Sequence, residues 1–248
     1  MEAGVTGVVI DWERRGKRRR QAGADTQIGV DAPDDLARVR SATPGRILCR
    51  VNGWGPRTPA EIETAVHLGA DEVLLPMVRR PEEVDAAIAA VAGRCRLGIL
   101  VETDDAVRRV EGLVRRPLSR VYVGLNDLMI DRQGSSLFAP LVDGTVDHVA
   151  RAVAAARIPF GVAGLTVPEG GRPVPCRLLI AALARLDASF TFLRRSFHAD
   201  VASREVTVEV PRILSAVAAA RGRSTTQVDS DHRRLRALVG TEAEEEAV

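Results

Sequence analysis

Four residues that end short apolar runs, Arg50, Pro76, Glu102 and Asp127, recur along the chain at intervals of 26, 26 and 25 residues. That interval is the length of a compact strand–helix unit with its loops. The runs themselves are Gly7–Asp11 (GVVID), Gln27–Val30 (QIGV), Ile47–Asn52 (ILCRVN), Glu72–Met77 (EVLLPM), Leu97–Thr103 (LGILVET), Val121–Asp127 (VYVGLND), Phe160–Thr166 (FGVAGLT) and Phe190–Ser196 (FTFLRRS). Amphipathic stretches lie between them, among them Pro59–Leu68, Pro81–Ala92, Asp104–Val114 and Thr145–Ala155. Strand–helix alternation of this kind reads as α/β with a parallel sheet. Repetition at a fixed period favours a (β/α)8 TIM barrel, in which every strand tip faces one mouth, over an open doubly wound sheet.

Eight runs would close such a barrel, but Gln27–Val30 is short and weak and reads as a loop or a half strand. The chain is 46 % apolar and only 3 % aromatic, so its core must be aliphatic, as suits strands buried on both faces. A single barrel domain over residues 1–220 is expected, with Val201–Ala220 a closing helix broken by Pro211. Residues 221–248 are polar, end in EAEEEAV and read as a disordered tail. The Gly-, Ser- and Pro-containing insert Gln133–Gly144 lies at the barrel mouth, where it is either a substrate lid or a plain connection.

The net charge of +2 comes from balanced charges without an aromatic-interleaved basic face, which argues against a nucleic-acid partner. No apolar run reaches membrane-spanning length and the N-terminus reads without a signal peptide, so a cytoplasmic protein is expected. Cys49, Cys95 and Cys176 are odd in number and widely spaced, which suits free thiols rather than a disulfide framework.

Carboxylates that end apolar strands are out of place unless they face a polar site. On adjacent strands of a barrel, Glu102 and Asp127 can converge on one cation, and two acids without nearby Cys or His suit Mg²⁺ or Mn²⁺ rather than zinc. Ion pairs with some of the many arginines are the alternative. Arg50 can clamp a substrate carboxylate through two parallel hydrogen bonds, or pair across the interior with Glu102 or Asp11. Gly124 allows a tight turn, after which the amides of Asn126 and Asp127 can face an anionic oxygen. Asp11 and Glu13 could supply a base, and an Asp11–Lys17 pair is equally open. Lys17 is the only lysine in the chain and sits in the basic run RRGKRRR (Arg14–Arg20), so an imine mechanism is not expected.

At these residues the sequence resembles the HpcH/HpaI aldolase and citrate lyase β-subunit family. The matching stretches are VVIDWE (Val8–Glu13), CRVN (Cys49–Asn52), GADEVLLPMV (Gly69–Val78), ILVET (Ile99–Thr103) and VGLNDL (Val123–Leu128). The resemblance implies a (β/α)8 barrel assembled as a trimer or hexamer. It also implies a divalent metal on Glu102 and Asp127, a substrate carboxylate on Arg50, and enolate stabilisation by the amides at Asn126 and Asp127. Pro76 and Gly124 would complete the substrate pocket, and the activity implied is carbon–carbon cleavage or formation through the enolate of a 2-oxo acid.

The chain departs from that pattern in three places. Arg14 stands where the aldolase branch has a histidine, and Leu100 where that branch has a glutamine. The chain also begins at what looks like the family's second strand, so the first βα unit of the implied barrel would be incomplete or atypical. The proton carrier is therefore open among Asp11, Glu13 and His198, the last being the one histidine near a strand tip. A non-catalytic or regulatory barrel is the competing expectation. The run Leu193–His198 and Glu169–Arg172 in the loop before it suggest either a second anion site or a salt-bridged rim.

Overall fold

The computed structural model describes residues 3–17, 31–194, 196–201 and 204–245. Seven strands form one sheet in sequence order, every neighbouring pair parallel: β1 (Gly7–Asp11), β2 (Arg46–Arg50), β3 (Glu72–Leu75), β4 (Arg96–Val101), β5 (Arg120–Val123), β6 (Phe160–Leu165) and β7 (Phe190–Leu193). Sequential parallel order requires a crossover after each strand, and helices supply it. These are α1 (Pro33–Ala42), α2 (Thr58–His67), α3 (Pro81–Val91), α4 (Asp104–Arg108), α5 (Val110–Leu113), α6 (Leu125–Asp131), α7 (Thr145–Ala155) and α8 (Cys176–Arg185). After β7 come α9 (Ser196–Asp200), α10 (Val206–Arg221) and α11 (Thr225–Glu245).

Alternation of side chains divides the apolar residues into two clusters. The larger one fills the space between the sheet and its helices and includes Ile47, Val73, Ile99, Val121 and Val162. The smaller lies on the other face, where Leu48, Leu74, Leu100 and Tyr122 are packed by Val9 of β1 and by Phe190 and Phe192 of β7. Residues from both edge strands thus meet in one interior, so the sheet curls around it. Tyr122 anchors this layer, its ring 4.5 Å from that of Phe192 and its hydroxyl donating to the Ala163 carbonyl at 2.8 Å.

The eighth strand of a full barrel is not among the described residues: β1 hydrogen-bonds directly to β2, and no β7–β1 pair closes the sheet. The run Gln27–Val30 lies outside the described residues. Other expectations need correction. Val121–Asp127 is not one strand, because Gly124 caps a helix and Leu125–Asp131 coils away from the sheet. Pro211 does not break its helix; it falls within the second turn of α10, where it removes one amide donor. The polar segment after residue 221 is not an unstructured tail, since α11 buries Leu235 and Val239 (1 % and 4 % exposed) and packs against α8. The insert 133–144 is pinned by buried Phe138 and Leu141, which belong to the main core and not to a loose lid. None of the described helices is long and apolar enough to cross a membrane.

Candidate active site at the strand tips

The parallel register places Asp11 beside Arg50 at the C-terminal ends of β1 and β2. Arg50 donates from Nε to Asp11 Oδ1 at 2.9 Å and from Nη2 to Oδ2 at 2.6 Å. Its remaining nitrogen, Nη1, is 3.4 Å from Glu13 Oε2. Burial raises the Asp11 carboxyl, but Arg50, Lys17 and the Glu13 amide outweigh it and hold Asp11 below the usual carboxylate range. Burial lowers the Arg50 guanidinium, but Asp11 and the charges of Glu13 and Glu102 outweigh it and hold it above its ordinary range.

Lys17 is not part of a solvated basic face. Its side chain is 2 % exposed, with Nζ 3.1 Å from Glu13 Oε2 and 3.5 Å from Asp11 Oδ2. Asp11, Glu13, Lys17 and Arg50 therefore form a ring of alternating charge. The turn after β1 that delivers Glu13 and Lys17 is held by Asn52. Its Oδ1 accepts the Arg14 and Arg15 amides at 2.9 and 2.7 Å, and its Nδ2 donates to the Trp12 carbonyl at 3.1 Å and to Glu61 at 3.0 Å. The asparagine of CRVN is thus a loop brace. Arg14, in the place of the aldolase histidine, is exposed and donates to the Asp31 carbonyl at 2.6 Å.

Glu102, just past β4, is 1 % exposed and accepts one neutral hydrogen bond, from the Met77 amide to Oε1 at 2.8 Å. Pro76, itself buried, precedes Met77, whose backbone is left-handed at φ 55 and so aims that amide. Across from it Gly124 leaves room for the acid: a Cβ there would lie 2.3 Å from Glu102 Oε2. Asp127, 6 % exposed, sits in the first turn of α6 and not on a strand tip. The first hydrogen bond of α6 runs from the Leu128 amide to the Gly124 carbonyl, so the half-buried Asn126 and Asp127 stand at the positive end of the helix. Burial, then the charges of Glu13 and Asp127, push the Glu102 carboxyl up to about 8, with Arg50 and the Met77 amide opposing.

Two expected contributors stand apart. His198 is exposed on α9, its ring edge-on to Phe197, and no hydrogen bond or ion pair among the described residues joins it to the acids. The anion site suggested near β7 is instead a salt-bridged rim: Glu169 pairs with Arg212 and Arg204, and Arg194 donates to Ser196 Oγ at 2.7 Å. Arg195 lies outside the described residues. No sequence signal marks the Met77 amide, since a left-handed non-glycine residue has no compositional signature.

Whether this place suits a divalent ion turns on Glu102. It is a fully buried carboxyl beside two other acids, with no lysine or arginine in ion-pair contact among the described residues. Such a group either keeps a proton or takes a cation. Among the described residues no set of three or more His, Cys, Asp and Glu gathers around one point. Two carboxylates suffice for Mg²⁺, which keeps waters or substrate oxygens on its other positions. The donor set fits a hard divalent cation and does not fit zinc.

No family model matches the chain, and no curated protein matches it. Solved structures do. RipC from Yersinia pestis has a TM-score of 0.61 at 15 % identity, covering 91 % of this chain and 93 % of that one. An HpcH/HpaI aldolase from Desulfitobacterium hafniense DCB-2 gives 0.58 at 13 % identity, over 90 % and 86 %. A citrate lyase from Burkholderia xenovorans LB400 gives 0.57 at 14 %, over 96 % and 83 %. The chain therefore shares, over nearly its whole length, the fold of HpcH/HpaI aldolase and citrate lyase structures.

Proposed function

We propose that this protein is a divalent-metal-dependent carbon–carbon lyase or aldolase that works through the enolate of a small 2-oxo acid. The observation that carries the reading is the buried Glu102 carboxyl, flanked by Asp127 and Glu13 and without an ion-pair partner among the described residues. Among the described residues Arg50 and Lys17 pair with Asp11 and Glu13, and neither is in ion-pair contact with Glu102. An ionised Glu102 would carry a charge that Mg²⁺ or Mn²⁺ could balance.

Glu102 and Asp127 would hold the ion, and when bound it supplies Lewis acidity toward the 2-oxo group. Arg50 binds the substrate carboxylate through Nη1, the nitrogen that Asp11 leaves uncommitted. The amides at Asn126 and Asp127 face the oxygen on which negative charge grows. Pro76 and Gly124 shape the floor. Asp11, fixed on Arg50, is a positioning residue; Glu13 is the group that takes the substrate's proton, and His198 has no part in it. In this reading the curled sheet belongs to a (β/α)8 barrel, and the barrels assemble as homo-oligomers, trimers or hexamers, in the cytoplasm.

The test is solvent exchange. Pyruvate incubated in D₂O with the protein and Mg²⁺ or Mn²⁺ should lose its methyl proton signal by NMR, and Glu102→Gln should reduce the rate to that of buffer. Metal-independent exchange, or exchange that survives Glu102→Gln, would sink the proposal. One observation favours a second reading, a non-catalytic barrel: Arg14 and His198 both stand outside the acid cluster. Calorimetry separates the two, because a non-catalytic barrel would bind no 2-oxo acid with or without metal.

A further inference from the structure

We infer that Lys17 is the positioning residue that keeps Arg50 available to a substrate carboxylate. This rests on the proposed role of Arg50. Two carboxylates compete for one guanidinium at the mouth. Asp11 takes its Nε–Nη2 edge at 2.9 and 2.6 Å, and Glu13 lies within reach of Nη1 at 3.4 Å. Were Glu13 to close on Nη1, it would take one of the three N–H groups that Asp11 leaves to a ligand and set a like charge beside the ligand carboxylate. Lys17 prevents this. Its Nζ is nearer to Glu13 Oε2, at 3.1 Å, than Arg50 is, and it also shares Asp11 Oδ2 at 3.5 Å.

The placement is unusual enough to require such a role. A lysine side chain 2 % exposed is costly to desolvate and persists only where its charge is used. Lys17 is also the only lysine beside 34 arginines, in a chain that otherwise meets every cationic need with guanidinium. An arginine here would offer Glu13 and Asp11 a planar fork and draw both into fixed bidentate geometry. A compact ammonium balances the same two charges as a point and leaves the carboxylates where they stand. Tied to two carboxylates, the amine is poorly placed to attack a carbonyl, which agrees with an imine-free mechanism.

The single lysine makes the test direct. With ¹³C,¹⁵N-lysine incorporated, the protein has one lysine side-chain resonance set. Adding oxalate to the Mg²⁺-loaded protein should shift the Lys17 ε signals as Arg50 engages the ligand and Glu13 resettles; Mg²⁺ alone should move them far less. By calorimetry, Lys17→Met should weaken oxalate binding to the Mg²⁺-loaded protein about tenfold or more, the worth of one charge-assisted hydrogen bond. Mg²⁺ affinity without oxalate should change little. Parallel loss of both affinities in a folded variant would overturn the inference, and lysine signals in the wild type that ignore oxalate would overturn it even if the variant fails to fold. A wild type that binds Mg²⁺ and oxalate but loses neither in Lys17→Met overturns it alone. A wild type that binds neither overturns the proposed function as well.

Discussion

The two ends of the curled sheet's interior use the same chemistry to opposite effect. At the N-terminal end Glu72 is fully buried, yet both its oxygens are taken: Arg120 donates from Nε and Nη2 at 2.6 and 2.7 Å, and Ser119 Oγ adds 2.6 Å. Arg120 in turn lies 4.6 Å from the centre of the Phe190 ring. At the C-terminal end Glu102 is equally buried but receives one amide and faces two acids. A buried ionic cluster that closes on itself serves the fold. In the proposed reading, a buried carboxyl without an ion pair among the described residues serves something that arrives from outside.

The largest expected effect sets these two glutamates against each other. Glu72→Gln leaves the Arg120 charge in the interior without its partner and should cost about 3–5 kcal/mol in urea unfolding. Glu102→Gln removes a carboxyl that is unstable as an anion and should raise the midpoint of the metal-free protein, most visibly at alkaline pH. If both substitutions destabilise alike, the Glu102 site is an ordinary structural pair and the contrast between the two ends fails.

The next prediction concerns pH. The Glu102 carboxyl sits near 8 in the folded chain against an ordinary 4.5, so the folded state binds that proton more tightly than the unfolded state does. Its stabilising contribution is complete below pH 4.5 and disappears as pH rises to about 8. Mg²⁺ must displace the same proton. Its affinity should therefore fall about tenfold for each unit below pH 8, and calorimetry in buffers of different ionisation heat should show about one proton released per ion at pH 7. Affinity that is flat between pH 6 and 8 would mean that Glu102 is already ionised and its charge is balanced from within the chain.

Much of this contrast was legible in the sequence, for reasons that also explain the failures. Strands buried on both faces must be continuous apolar runs, so β2 through β7 stood out, and the period carried Arg50 and Glu102 to a shared end. VYVGLND failed because three residues after a glycine cannot distinguish a strand's end from a helix's first turn, and Asp127 belongs to the helix. The Asp11–Lys17 pair is one of the readings the sequence leaves open, but the burial of Lys17 is hidden in RRGKRRR, since composition reads such a run as solvated; Asp11 and Glu13, brought up by the turn that Asn52 braces, bury it. In α11, Val228, Leu235 and Val239 form a stripe at helical spacing that the surrounding charge obscured. Glu72 was read only as the start of a strand, because its partner Arg120 is forty-eight positions away.

The smallest effects come from one methyl group placed at either end. Gly98 of β4 lies in the closed layer, where a Cβ would meet Arg120 Cγ at 2.7 Å, Leu74 Cδ2 at 2.8 Å and Glu72 Oε1 at 2.9 Å. All three are side-chain atoms able to give a little, so Gly98→Ala should cost about 1–3 kcal/mol as overpacking and leave Mg²⁺ affinity alone. Gly124 has φ −86, which alanine adopts freely, so a substitution there acts through space and not through backbone strain. Its Cβ would stand 2.3 Å from Glu102 Oε2 and 2.9 Å from Glu102 Cβ, forcing the carboxyl off the Met77 amide or away from Asp127. Gly124→Ala should thus weaken Mg²⁺ binding several-fold while lowering the melting midpoint less than Gly98→Ala does. Displacing Glu102 relieves crowding among like charges, which offsets part of the steric cost; no such relief exists beside Glu72. Reversal of the pair, with Gly98→Ala weakening the metal and Gly124→Ala affecting only stability, would place the ion at the other end of the interior.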